Sequence, residues 1–312
     1  MTLVPVIYEG GLYRHDEIVE LIDDLGGYII QKQIVASDVF LQSLVPREDI
    51  ELIRAAGKPL GGDVRPAPLV GTEIAVVSPS LEIHHLPHSS CDVAEYLRRY
   101  GAKTNMVGLA RGFGKRVAKL SIEERDVINE HDLAVYVLGN FAECIEYKFP
   151  ALRRGVEVPI VLLGAPPTET LREIVDPPVA GYLGGMGRLM HRWKRGEEIA
   201  LLEDLVDLVA GILDQTREEI AKDPLSISPA RLMDSIMDAI PELEYSTHPT
   251  PITVRIDGLR VKIPYDAFAG ELRSLEIEEG VTIGDICTIS QSRMRNYINL
   301  QILPYSETTI MV

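Results

Sequence analysis

The chain contains no apolar run approaching the ~18 residues that a bilayer-spanning helix requires, which excludes a helical membrane span. Cysteine is scarce: Cys91, Cys144 and Cys287 lie far apart and are odd in number. That excludes a secreted disulfide framework and points to a reducing cytoplasm. Positive charge is short as well, with 31 Lys and Arg against 47 Asp and Glu and a net charge of −16. Such a field repels phosphate backbones and anionic lipid surfaces, so neither nucleic acid nor membrane is expected as a partner. The opening residues, MTLVPVIYEGG, lack the basic-then-apolar order of a signal peptide. There is no internal repeat, no CxxC, no paired-carboxylate pattern, no Ser–His–Asp set and no dinucleotide GxGxxG in a supporting context, so nothing in the residues spells an enzyme. What is present is 46% hydrophobic and 25% charged residues over 312 positions, ordinary globular composition and length enough for two domains.

The patterning predicts an α/β protein in four segments. Residues 1–70 read strand (Val4–Tyr8), helix (Asp16–Leu25), two strands (Tyr28–Val35, Val39–Leu44), helix (Glu48–Ala56) and strand (Asp63–Leu69), the split βαβ order of a ferredoxin-like α+β unit. Residues 71–180 alternate short apolar runs (Glu73–Ser78, Lys103–Leu109, Leu133–Leu138, Pro159–Gly164) with helices (Cys91–Tyr100, Ser121–His131, Phe141–Leu152). This is the signature of a central parallel, Rossmann-like sheet buried on both faces. Ser121 with Glu124 forms a capping box. Residues 181–245 open on Gly181–Gly187, read as a hinge or loop, and continue as a helical segment, including a long helix over Glu197–Lys222 with an apolar stripe. Residues 246–312 form a β-rich extension that begins with a hairpin at Asp257-Gly258.

Three stretches could carry chemistry. His84, His85, His88 and Cys91 fall within eight positions, between the first strand of the central sheet and its first helix. Loops beyond the carboxyl ends of parallel strands are where open α/β sheets bind ligands. A thiol in the first turn of that helix would be favoured as thiolate, able to ligate a metal with His85 and His88 or to attack an electrophile. On the other reading Ser89 or Ser90 caps the helix and Cys91 packs as a small hydrophobe. Gly112, Gly114 and Lys115 follow the second strand; five residues separate Gly108 from Gly114 and arginine follows the lysine, so this is no triphosphate loop. It is either a basic loop contacting a cofactor or a solvated one. Arg192, Trp193 and Arg195 stand out in so acidic a chain and suit either protein docking or a solvated turn. Cys144 and Cys287 are expected in the core.

The run HHLPHSSCDVAEYLRRYGAKTNMVGL, the turn Leu138-Gly139-Asn140 and the strand closing on Gly164-Ala165-Pro166 resemble the methyl-coenzyme M reductase operon protein C family. As a whole the chain is similar to that family's larger relatives, the methanogenesis marker protein 7 group of methane-metabolising archaea. Its N-terminal unit and C-terminal extension are expected to lie beyond operon protein C itself. The resemblance implies a subunit of the ATP-dependent complex that reductively activates methyl-coenzyme M reductase. It further implies an iron–sulfur cluster shared with a partner chain and touched by Cys91, with His85 or His88 second. The implied partners are the reductase, its operon protein C, other marker proteins and an ABC-type ATPase component. One cysteine without a CxxC cannot hold a cluster alone. The alternative is an independent small-molecule enzyme with Cys91 as nucleophile and a histidine as base.

Overall fold

A computed structural model describes residues 3–78, 87–109, 120–186, 195–246, 248 and 250–308. The chain forms two compact units, one of Met1–Thr72, Arg99–Lys103 and Ile220–Val312, the other of Glu73–Arg98 and Thr104–Glu219.

The first unit begins with β1 (Leu3–Gly11), α1 (Asp16–Asp24), β2 (Tyr28–Val35), β3 (Asp38–Pro46), α2 (Ile50–Gly57) and β4 (Asp63–Pro66). The sheet order is β2-β3-β1-β4, with each neighbouring pair antiparallel, as the split βαβ reading requires. Ile18 and Ile22, four apart on α1, meet Val6, Tyr8, Val39, Leu41 and Ile53 on one face of this sheet.

The second unit holds β5 (Glu73–Ser78), α3 (Pro87–Arg99), β6 (Lys103–Gly108), α4 (Ile122–Asn129), β7 (Leu133–Val137), α5 (Ala142–Leu152), β8 (Ile160–Leu163), α6 (Thr168–Ile174), β9 (Gly181–Leu183) and α7 (Arg195–Ile220). Its five strands run in the order β6-β5-β7-β8-β9. The pairs from β5 through β9 are parallel, and the Leu109 N–H to Ser78 carbonyl bond of 3.1 Å sets the carboxyl end of β6 beside that of β5. β5, β7 and β8 are buried at every residue, the expected consequence of helices on both faces. β6 lies on the edge and alternates, leaving Met106 exposed. Ser121 caps α4 as expected: its hydroxyl accepts from the Glu124 amide at 3.1 Å and its own amide donates to the Glu124 carboxylate at 2.7 Å.

Two expectations need correction here. Gly181–Leu183 is the fifth strand rather than a hinge or loop, and it is followed by a packed turn. Met186 N–H donates to Gly164 O at 3.0 Å and Gly184 N–H to Thr168 Oγ1 at 2.8 Å, while a side chain at Gly184 would collide with the backbone of Pro166 and Thr168. The second correction concerns α3, which starts at Pro87, four residues ahead of Cys91.

At the opposite, amino-terminal end of this sheet a polar cluster ties β5 and β6 to the turn between α4 and β7. Buried Glu73 accepts from Asn105 Nδ2 at 2.7 Å, and the same amide approaches His131 Nε2 at 3.0 Å. His131 Nδ1 lies 2.8 Å from the Val127 carbonyl, which assigns the proton to Nδ1 and leaves Nε2 as acceptor.

The first unit resumes with α8 (Pro229–Ala239), α9 (Pro241–Glu244), β10 (Ile252–Arg255), β11 (Gly258–Val261), α10 (Tyr265–Ser274), β12 (Glu276–Glu278), β13 (Val281–Thr282), α11 (Ile283–Ile286), β14 (Cys287–Gln291) and β15 (Ile298–Ile302). Four strands form an antiparallel sheet in the order β10-β11-β15-β14. The hairpin turn is Ile256-Asp257, closed by the Arg255–Gly258 pair, one residue ahead of the expected position. The apolar face of this sheet and Leu232 and Ile236 of α8 share one core with Ile7, Ile30, Ala67 and Val70, so both ends of the described chain are packed together. None of the described helices is long and apolar enough to cross a membrane.

Candidate functional site

Every stretch singled out in the sequence follows one strand of the parallel sheet, and those strands end at a single edge. Cys91 follows β5, Gly112, Gly114 and Lys115 follow β6, Leu138-Gly139-Asn140 follows β7, Gly164-Ala165-Pro166 follows β8, and Arg192, Trp193 and Arg195 follow β9. His85, Gly112, Gly114, Lys115, Arg192 and Trp193 lie outside the described residues. His88 and Arg195 fall in α3 and α7 respectively, with their side chains outside them.

The strand order places a topological switch between β5 and β7, because the chain leaves β5 toward β6 and later builds β7, β8 and β9 on the other side. Open α/β sheets bind ligands at this crevice. Its described walls are the end of β5 with α3, and the turn Leu138–Phe141. Leu138 N–H donates to Leu163 O at 2.8 Å, which holds the β7 turn against β8. Asn140 and Phe141 are exposed there. At ~4.8 Å per strand, the exit of β9 stands roughly 15 Å from that of β5. The exits of β5 and β9 are therefore separate points on the same edge.

Cys91 is exposed, and its Sγ lies 4.0 Å from Met106 Sδ on β6. Because α3 begins at Pro87, Cys91 belongs to the second turn rather than the first, beyond the amides that carry most of the helix's positive end. Ser90 does not cap the helix either. Ser90 is inside it, 1% exposed, and its hydroxyl has no partner among the described residues. Ser90, Val93, Ala94 and Leu97 follow the i, i+3, i+4, i+7 spacing of one buried face, a pattern visible in the sequence, and it turns Cys91 outward. The reading of Cys91 as a packed small hydrophobe is thus overturned.

The other two cysteines diverge. Cys144 is exposed, contrary to expectation: α5 buries Ile145, Phe149 and Leu152, and its neighbour Cys144 points off that stripe. Cys287 is buried as expected, and burial pushes its thiol up to about 12, which keeps it protonated and inert. Among the described residues no three His, Cys, Asp or Glu side chains converge as a metal site. The arrangement supplies one accessible thiol with a thioether beside it, on the helix that follows β5.

The family model of methyl-coenzyme M reductase operon protein C matches residues 3–275. The chain belongs to that family. The match begins in β1 and takes in the ferredoxin-like unit, which corrects the expectation that this unit lies outside; residues 1–2 and 276–312 fall beyond it. An uncharacterized protein of Methanocaldococcus jannaschii is 43% identical over 302 residues, covering 97% of this chain and 94% of that one. Among solved structures, phospho-2-dehydro-3-deoxyheptonate aldolase of Thermotoga maritima aligns at 10% identity over 55% of this chain and 65% of that one, with a TM-score of 0.17. So low a score carries no argument about this fold.

Proposed function

We propose that the chain is an accessory subunit of the ATP-dependent assembly that reductively activates methyl-coenzyme M reductase. In this reading Cys91 is one ligand of an iron–sulfur cluster shared with a partner chain. The observation that carries the proposal is membership, over residues 3–275, of a family named for the operon of that reductase. The exposed thiol at the switch-point edge supports the assignment of Cys91.

The donor set fits a shared cluster and not a resident one. Iron–sulfur clusters are held by several thiolates; the described residues offer the exposed thiols of Cys91, with Met106 adjacent, and of Cys144, which do not converge with other donors into a metal site, while Cys287 is sealed in the core. Cys91 would hold one iron; His85 or His88 is the candidate second ligand from this chain, and the partner would supply the rest. A bound cluster would supply low-potential electrons for the reductive activation. The chain's own contribution is to present one thiolate on a rigid helix, with α3 fixed by its buried face, and to dock. Arg192, Trp193 and Arg195 are the proposed docking residues, and Gly112, Gly114 and Lys115 a loop touching the cluster or partner. The other proposed partners are operon protein C itself, further marker proteins and an ABC-type ATPase component.

Anoxic affinity purification from a methanogen, with co-purifying proteins identified and iron and sulfide counted, tests this. The expected result is the reductase with several moles of iron per complex, and for Cys91→Ser the same partners with less iron. A wild-type complex wholly free of iron would sink the cluster assignment. Recovery of the chain alone would sink the docking reading, and the switch-point crevice with Cys91 as nucleophile would then lead. Replacing Arg192 and Trp193 together by Ala should lower recovery of the complex; unchanged recovery removes them as docking residues.

A further inference from the structure

In the first unit, Thr250 and Thr253 are 7% and 2% exposed, and the Oγ1 of each has no hydrogen-bond partner among the described residues. Leaving two hydroxyls buried and unbonded within four residues is costly, because each keeps its full desolvation penalty. Both residues line one cavity of about 10 Å³. Gln31 of β2 and Gln42 of β3, a directly opposed pair, line it from the N-terminal sheet, and so does Lys103. The β2–β3 ladder is irregular just there: register slips between Ile29 and Gln31, and Ile30, the extra residue, also faces the cavity.

We propose that this cavity is the binding site of a single ordered water molecule that bonds both threonine hydroxyls and at least one of the two glutamine amides. Size and polarity decide the ligand. A cavity of ~10–15 Å³ on this measure accommodates one water, and a buried water needs two to four polar partners, which the threonines and glutamines supply. Phosphate, sulfate and any organic group are too large. The water ties the bulged edge of the ferredoxin-like sheet to β10, whose Ile252 and Val254 already share a core with Ile30. It is independent of the cluster reading, since every residue involved lies in the first unit.

The sign of a mutation tests it. If the hydroxyls are truly unbonded, Thr253→Val and Thr250→Val each remove a penalty, and the urea midpoint of the full chain rises. If they hold a water, each substitution strips it of a partner, and the midpoint falls. The expected result is a fall for both variants, with the double variant losing less than the two single losses combined, because one water is shared. A rise in either variant overturns the proposal. A crystal structure of the full chain at high resolution gives the second readout. A single spherical peak at hydrogen-bond distance from both Oγ1 atoms is expected; a cavity without density, or hydroxyls turned to protein acceptors, overturns it.

Discussion

Replacing Tyr8 by Phe should stabilise the protein. Tyr8 is fully buried in the ferredoxin-like core, and its hydroxyl has no partner among the described residues. Burial holds its phenol above its ordinary range. Unlike the threonines at the water site, it sits among three glycines with no room beside the ring. A Cβ at Gly57 would come 2.7 Å from Cε2, and one at Gly10 or Gly62 would meet the hydroxyl itself. A polar group buried without a bond costs about 1–3 kcal/mol. Deleting one oxygen leaves a void of roughly 10 Å³, worth about 0.2 kcal/mol at 24 cal/mol per Å³. The net gain is about 1–3 kcal/mol, which raises the urea midpoint and lifts Tm by several degrees. Urea titration followed by far-ultraviolet circular dichroism, at constant slope, measures it. The glycines give an internal control. Gly57→Ala should cost about 1–3 kcal/mol from overpacking, and Gly10→Ala should cost less when combined with Tyr8→Phe than in the wild type, because the phenol oxygen is its nearest obstacle. A lower midpoint for Tyr8→Phe would refute the reasoning, since it would mean that the hydroxyl is bonded in solution.

Asp234 on α8 is raised to about 6, by partial burial first and then by Asp23 and Asp238. A carboxylate whose folded pKa exceeds its unfolded value destabilises the protein once ionised, so stability should increase as pH falls from 7 toward 5. The full displacement is worth about 3 kcal/mol, and screening at a carboxylate still open to solvent brings it to about 1 kcal/mol. Asp234→Asn should therefore stabilise by that amount at pH 8 and by nothing near pH 4; equal effects at both would sink the assignment. Titration of native protein with a thiol reagent should modify Cys91 and Cys144 rapidly and Cys287 only after unfolding, and a third fast thiol would contradict its burial. Gly184→Ala should lower the melting temperature by several degrees, because the new methyl collides with the Pro166–Thr168 backbone rather than with a side chain that could move. A wild-type melting curve would show that this turn is looser than the geometry implies.

The elements with a clean period were legible. β2 and β5 run over the residues the pattern marked, and the order strand, helix, strand, strand, helix, strand became a ferredoxin-like sheet because split βαβ chirality leaves little alternative. Short elements were hidden. β9 is three residues long and starts on glycine, and α6 spans seven, too few for a period to declare itself. The place of the Cys91 stretch after β5 was legible, and the start of its helix was not. Parallel strands had to deliver the Cys91 stretch and its companions to one edge, but the start of α3 was placed four residues late, since the apolar stripe begins only at Val93. Cys144 was misplaced because a cysteine beside Ile145 looks apolar in sequence, while only the rotation of α5 decides which of the two faces inward.

The first unit is discontinuous: residues 73–98 and 104–219 are spelled out between its three segments. During synthesis the ferredoxin-like sheet emerges early, with Ile7 and Ile30 on a face whose cover, Leu232, Ile236, Leu259 and Leu300, has yet to be made. β15, among the last strands translated, slots between β11 and β14 rather than adding at a rim. The ribosome must therefore deliver nearly the entire polypeptide before that face is shielded from water. At ~5–20 residues per second this leaves a sticky surface bare for tens of seconds. A nascent chain halted near residue 219 should accordingly recruit a holdase chaperone, and one extended past residue 302 should release it.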